Sequence, residues 1–160
     1  MKQLLIAVIG TNEGSARMKK TAFELGREIA RRGHYLVCGG MGGVMQESCR
    51  GAKSVGGTTI GILPGKTKGD ANPYIDIPIV TAMSHARNAV IVRTGDAVVA
   101  VGGRYGTLSE IGLALCMNKP VYGLNTWKIP GIKRKASPRA ALDAIERRLP
   151  LSQNLRTSPA

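Results

Sequence analysis

Leu4-Leu5-Ile6-Ala7-Val8-Ile9 runs straight into Gly10-Thr11-Asn12-Glu13-Gly14-Ser15. Six apolar residues without alternation suit a central parallel strand covered by helices on both faces. The glycine-bounded turn then opens an amphipathic segment, Ser15 to Arg32. Met18, Ala22, Leu25, Ile29 and Ala30 share one helical stripe. Lys19, Lys20, Glu24, Arg27, Glu28 and Arg31 take the other face, and Gly33 supplies the stop.

The same unit recurs outward from there. Tyr35 to Cys38 reads as a second strand, Val44 to Val55 as a second helix and Thr58 to Leu63 as a third strand. Pro64 to Asp76 is a loop rich in Gly, Pro, Lys and Asp, ahead of a short strand, Ile77 to Thr81. Ser84 to Arg93 reads as a helix, Ala97 to Val101 as a strand, Thr107 to Met117 as a helix and Val121 to Leu124 as a strand. Trp127 to Ser137 reads as a basic connection and Pro138 to Arg148 as the last helix. This alternation predicts a single α/β domain over residues 1–150 built on a doubly wound parallel sheet, with 151–160 a flexible tail. In such sheets ligands bind beyond the carboxyl ends of the strands, where the strand order reverses.

Composition bounds the partners. The chain has 160 residues, 43% apolar and 21% charged, as in a soluble globular domain. A net charge of +13 favours anionic partners, with the excess concentrated at the two ends of the chain. Six aromatics (Phe23, Tyr35, Tyr74, Tyr105, Tyr122, Trp127) are widely spaced. Base-stacking platforms need clustered rings, which argues against a nucleic-acid module. Cys38, Cys49 and Cys116 form no metal-ligand pattern and read as three reduced thiols in a core. His34 and His85 lie far apart, so no metal site is expected. No apolar run is long enough to span a membrane, and the expected location is the cytoplasm.

Three strand-to-helix loops are rich in glycine: Gly10 to Ser15, Gly39-Gly40-Met41-Gly42-Gly43, and Gly102-Gly103-Arg104-Tyr105-Gly106-Thr107. Each leads into a helix N-terminus, whose free N–H groups and dipole favour an anion. Three such loops in one sheet point to a phosphate-bearing ligand. Gly61-Ile62-Leu63-Pro64-Gly65-Lys66-Thr67 is one residue short of a P-loop, and Met45 stands where G-x-G-x-x-G needs its last glycine. Thr107-Leu108-Ser109-Glu110 fits a capping box. Glu110 equally suits gripping ribose hydroxyls or a developing positive charge. Arg87 opens the helix before the 97–101 strand and starts at the same sheet edge; His85 stands beside it.

Cys38-Gly39-Gly40-Met41-Gly42-Gly43-Val44-Met45, Gly57 to Pro64, Arg87 and Gly102 to Glu110 together resemble the Lonely Guy (LOG) superfamily over about residues 4–125. Its members were often labelled possible lysine decarboxylases, although nothing here suggests a pyridoxal site. Asn72-Pro73-Tyr74 followed by Ala86-Arg87-Asn88 is closer to its short branch, which includes the molybdenum-cofactor carrier proteins. The resemblance implies a Rossmann-like fold, a homo-oligomer (dimer or tetramer) and a nucleotide-type ligand. Its best-known activity is phosphoribohydrolysis of cytokinin riboside 5′-monophosphates. Arg87 and Glu110 match the catalytic pair. The hydrolases carry P-G-G-x-G-T-x-x-E, with Val101 here at the proline, and Arg-Lys where Arg87-Asn88 stands.

Two expectations follow. In the first, the chain cleaves the N-glycosidic bond of a nucleoside 5′-monophosphate. Gly102, Gly103, Gly106 and Thr107 hold the phosphate, Gly10 and Thr11 flank it, and Gly39, Gly40, Met41 and Gly43 wall the other side. Arg87 and Glu110 carry the chemistry, and no cofactor is required. In the second, the chain is a non-catalytic carrier or sensor of a phosphorylated pterin or nucleotide, with molybdenum cofactor as possible cargo.

Overall fold

The computed structural model describes residues 3–149; the expected tail at 151–160 lies outside them. Seven strands form one sheet: β1 (Leu5–Gly10), β2 (Tyr35–Cys38), β3 (Thr59–Leu63), β4 (Ile77–Val80), β5 (Ala97–Val101), β6 (Val121–Leu124) and β7 (Ile132–Arg134). Their order is β4-β3-β2-β1-β5-β6-β7, and every pairing is parallel. Five helices cover it: α1 (Ala16–Arg31), α2 (Gly43–Lys53), α3 (Asn88–Thr94), α4 (Tyr105–Cys116) and α5 (Pro138–Arg148).

Side chains alternate across the central strands, so each face has its own core. Ile6, Val8, Leu36, Cys38, Val99 and Tyr122 pack under α1, α2 and α5. Ala7, Ile9, Val37, Val98, Ala100 and Val121 pack under α3 and α4. The unbroken apolar runs of β1 and β5 are thus explained by burial on both sides, and the doubly wound, Rossmann-like sheet is what the structure shows. Ser15 caps α1 by accepting the Met18 N–H at 3.2 Å. His34 accepts the Leu4 N–H on Nδ1 and meets Glu146 through Nε2 at 3.0 Å, tying α5 to the start of the sheet.

Three expectations are corrected. The basic connection holds a strand, β7, too short and too charged (Ile132-Lys133-Arg134) to read as one. Its cations suit an edge strand, where charge discourages pairing with another chain. Cys116 is exposed at the end of α4, so only Cys38 and Cys49 are core thiols. The 84–93 helix is a one-turn 3-10 segment, Ser84–Arg87, followed by α3.

Strands β2, β1 and β5 are adjacent and parallel, so all three glycine-rich loops leave one edge of the sheet. The strand order reverses between β1 and β5, which opens a crevice there.

Helices α1 and α2 meet through glycines. A Cβ on Gly26 would lie 1.8 Å from the Ser48 carbonyl oxygen, and one on Gly51 would lie 2.0 Å from that of Phe23. Neither carbonyl can retreat without moving its helix. Gly51→Ala is therefore expected to cost about 1–3 kcal/mol by overpacking. Urea unfolding should show a lower midpoint at unchanged slope.

Candidate functional site

The crevice between β1 and β5 deepens into a cavity of about 300 Å³. The end of β1 supplies Gly10, the loop after it Thr11, Asn12 and Glu13, and α2 supplies Met45. The 3-10 turn before α3 supplies His85 and Arg87, and Asn88, the first residue of α3, also lines the cavity. The start of α4 supplies Arg104, Gly106, Thr107 and Glu110. Arg104 is the α4 N-cap residue and no side chain caps this end. The first-turn N–H groups of Tyr105, Gly106 and Thr107 have no partner within the helix.

Arg87 reaches the cavity from a constrained segment. Ala82 and Ser84 both have left-handed backbones (φ +54° and +52°). Their N–H groups donate to the carbonyls of Gly65 and Pro64 at 2.9 and 3.0 Å. The P-loop look-alike therefore positions Arg87 by its carbonyls and opens no phosphate-binding helix. The Arg87 guanidinium donates through Nη2 to the Gly39 carbonyl at 3.3 Å and through Nη1 to the Asn88 Oδ1. Its buried Nε has no partner among the described residues. Asn88 is held in turn on Ser109 Oγ at 3.2 Å.

Glu110 is only 6% exposed. Burial pushes its carboxyl up to about 8, against a lesser downward pull from the Arg87 charge. Burial also lowers Arg87 from its ordinary value, while Glu110 and Cys38 pull it back up. At neutral pH Glu110 is therefore mostly a protonated acid facing a buried guanidinium, a pairing suited to proton donation beside an anion.

The structure divides the expected site residues. Arg87, Glu110, Gly10, Thr11, Gly106 and Thr107 line the cavity. Gly39, Gly40, Met41, Gly43, Gly102 and Gly103 do not, and most have a packing reason. A Cβ on Gly39 would sit 2.7 Å from Arg87 Nη2, and one on Gly43 would sit 2.4 Å from the Thr11 carbonyl oxygen. On Gly40 it would meet Leu63, on Gly102 Met18 and on Gly103 Thr107. Met41 packs against the core, and Met45, in the first turn of α2, lines the cavity.

The capping box is overturned, because α4 begins at Tyr105 and carries Glu110 well past its first turn. The loop count also changes. Two residues separate Gly103 from Gly106, so P-G-G-x-G-T counted back from Thr107 puts Gly102, not Val101, at the proline. Arg104 then stands at the second glycine. Asn12, Glu13, Met45, Asn88 and Arg104 also line the cavity and were not expected there. Each lies in or next to a segment already singled out, which was the available signal.

Comparison with known proteins gives the family and agrees with the fold. The SLOG cluster4 family model matches residues 3–148. An uncharacterized protein of Archaeoglobus fulgidus is 48% identical over 124 residues, 78% of this chain and 82% of its own. A probable cytokinin riboside 5′-monophosphate phosphoribohydrolase of Oryza sativa subsp. japonica is 36% identical over 107 residues, 64% of this chain and 47% of its own. This chain thus spans about half the length of the phosphoribohydrolases it matches. The molybdenum cofactor binding protein of Rippkaea orientalis superposes with a TM-score of 0.88 at 34% identity, covering 93% of this chain and 99% of that one. The molybdenum cofactor carrier protein of Chlamydomonas reinhardtii gives 0.83 at 34% identity, covering 92% and 99%.

Glu110 gives the cavity a measurable signature. The unfolded chain releases this proton near 4.5 and the folded chain near 8. Between those values the folded state binds more protons, so the Glu110 contribution is full below 4.5 and is lost as pH rises through 8. Glu110→Gln should flatten this part of the profile, matching wild type near pH 4.5 and exceeding it by more than ~1 kcal/mol above pH 8. Thermal melts across that range would show parallel profiles if the carboxyl were not buried and unpartnered.

Proposed function

The chain belongs to the SLOG cluster4 family, and from that footing we propose that its cavity binds a phosphorylated, nucleotide-like small molecule. We further propose that it hydrolyses the N-glycosidic bond of a nucleoside 5′-monophosphate. The observation that carries this reading is Glu110, a carboxyl only 6% exposed that lines one cavity with Arg87, where burial pushes it above the usual carboxylate range.

The free N–H groups at the start of α4 take the phosphate, with Thr107 beside them and Gly10 and Thr11 on the opposite wall. A Cβ on Gly106 would meet nothing within 4 Å. The protein itself gives this glycine no packing reason, and a phosphate approaching the backbone supplies one. Glu110 gives its proton to the departing base as the C1′–N bond breaks, and its new carboxylate then faces the cationic sugar. Water adds to C1′ and returns a proton to Glu110, leaving free base and ribose 5-phosphate. Arg87 offsets the charge that Glu110 acquires.

A second reading has its own support. The two molybdenum cofactor proteins are covered over 99% of their length, against about half for the phosphoribohydrolase. On that reading the same cavity holds a phosphorylated pterin, molybdenum cofactor being the cargo, and no bond is broken. Both readings place a dimer or tetramer in the cytoplasm. Exposed Ile77, Ile79, Val80 and Met83 along the β4 edge favour association, which light scattering would read as two or four times 16.9 kDa.

A panel of nucleoside 5′-monophosphates, followed by chromatography of free base, tests the reaction. Wild type should turn over at least one of them. Glu110→Gln and Arg87→Ala should each lose ~100-fold or more, and the double variant little more than either. Gly106→Ala should keep its melting temperature within a few degrees while affinity falls ~10-fold or more. Tight binding without base release would leave the carrier reading standing.

A further inference from the structure

The cavity mouth carries an ion pair that serves neither the fold nor the reaction. Arg104, the N-cap residue of α4, reaches across to the loop after β1. Its Nη1 lies 3.2 Å from Glu13 Oε2. The side chains are 72% and 83% exposed, and both residues line the cavity. An ion pair this exposed is weak, being screened by water and opposed by side-chain entropy. A phosphate monoester dianion offers a guanidinium more charge than one carboxylate and can accept two parallel N–H bonds. Glu13 is tethered only by its loop, whose Thr11 Oγ1 accepts the Glu13 N–H at 3.1 Å.

Two further observations mark this mouth as a ligand entrance. Glu110 is buried at the base of the same cavity with no hydrogen bond among the described residues holding its carboxyl, and Arg87 Nε is buried without a partner. Arg87 and Glu110 both line the cavity that a ligand would fill, and buried polar groups left without partners mark such a site.

We propose that Arg104 and Glu13 form an exchangeable latch, in which the incoming phosphate monoester displaces Glu13 from the guanidinium. Arg104 is then a phosphate-binding residue, and Glu13 is its built-in competitor. The latch selects ligands with a terminal phosphate dianion over neutral nucleosides and over diesters of single charge. This inference rests on the proposed phosphate site.

The two partners of the pair should act in opposite directions, which a merely structural salt bridge would not do. With AMP as probe in calorimetry, Arg104→Ala should weaken binding ~10-fold or more. Glu13→Gln should tighten it ~3-fold or more by removing the competitor. In Arg104→Ala, adding Glu13→Gln should change nothing, and adenosine should respond to neither change. The salt dependence of AMP binding should be shallower in Arg104→Ala. Unchanged AMP affinity in Arg104→Ala, or weaker binding in Glu13→Gln, overturns the latch while leaving the phosphate site intact. Wild type that binds neither AMP nor inorganic phosphate overturns both.

Discussion

Burial of the Arg87 guanidinium is the constraint on which the site depends. A cation taken out of water is costly unless its N–H groups find acceptors and an opposing charge lies near. Here the acceptors are the Gly39 carbonyl and the Asn88 side chain, and the nearby ionisable group is Glu110. This arrangement dictates sequence in three separate elements. The residue after strand β2 must be a glycine, because a Cβ at position 39 would occupy the space of Nη2. The chain must enter the 3-10 turn through left-handed Ala82 and Ser84, held by two loop carbonyls. Asn88 must in turn be braced by Ser109 on α4. One buried charge thus ties the carboxyl end of β2, the turn before α3 and the body of α4 into one unit.

The glycines sort by physical cause. Gly43 is left-handed and lies under the Thr11 and Asn12 carbonyls, so the β1 loop can rest on the start of α2. Gly102 and Gly103 are also at positive φ and leave room for Met18 and Thr107. These residues build the loops that surround the cavity. Gly106 and Gly112 on α4 differ from these, since their missing side chains face open space, and of the two only Gly106 lines the cavity. At Gly106 the open space leaves the backbone at the start of α4 accessible from the cavity.

The sheet was legible from residues because burial on both faces leaves a plain signature, the unbroken apolar runs of β1 and β5. Strand β7 was not, because an edge strand of Ile132-Lys133-Arg134 is written by hydrogen bonding to β6 and not by hydrophobic pattern. At the site, Arg87 and Glu110 were readable from motif order, and the structure brings both to one cavity. Gly39, Gly40 and Met41 do not line that cavity, and the sequence alone could not place them for a simple reason. A glycine that admits a ligand and one that admits a neighbouring side chain look alike in sequence. The capping box failed similarly: Thr107 to Glu110 has the right letters, but α4 begins two residues earlier, at Tyr105, with an extended Arg104 as its N-cap.

The surplus of positive charge also acquires a location. Several basic side chains are already paired, Arg32 with Glu28, Asp143 and Glu146, and Lys53 with Asp76. At the cavity, the guanidiniums of Arg87 and Arg104 face one exposed carboxylate, Glu13, because burial keeps the Glu110 proton in place to about 8. An ionised Glu110 would cancel Arg87 and repel a phosphate; a protonated one does neither and offers a hydrogen bond. An anion bound there would raise the affinity of Glu110 for its proton still further, so anion binding and protonation reinforce one another. The same burial that costs the fold stability above neutral pH keeps the cavity cationic at neutral pH, which is the condition a phosphorylated ligand requires.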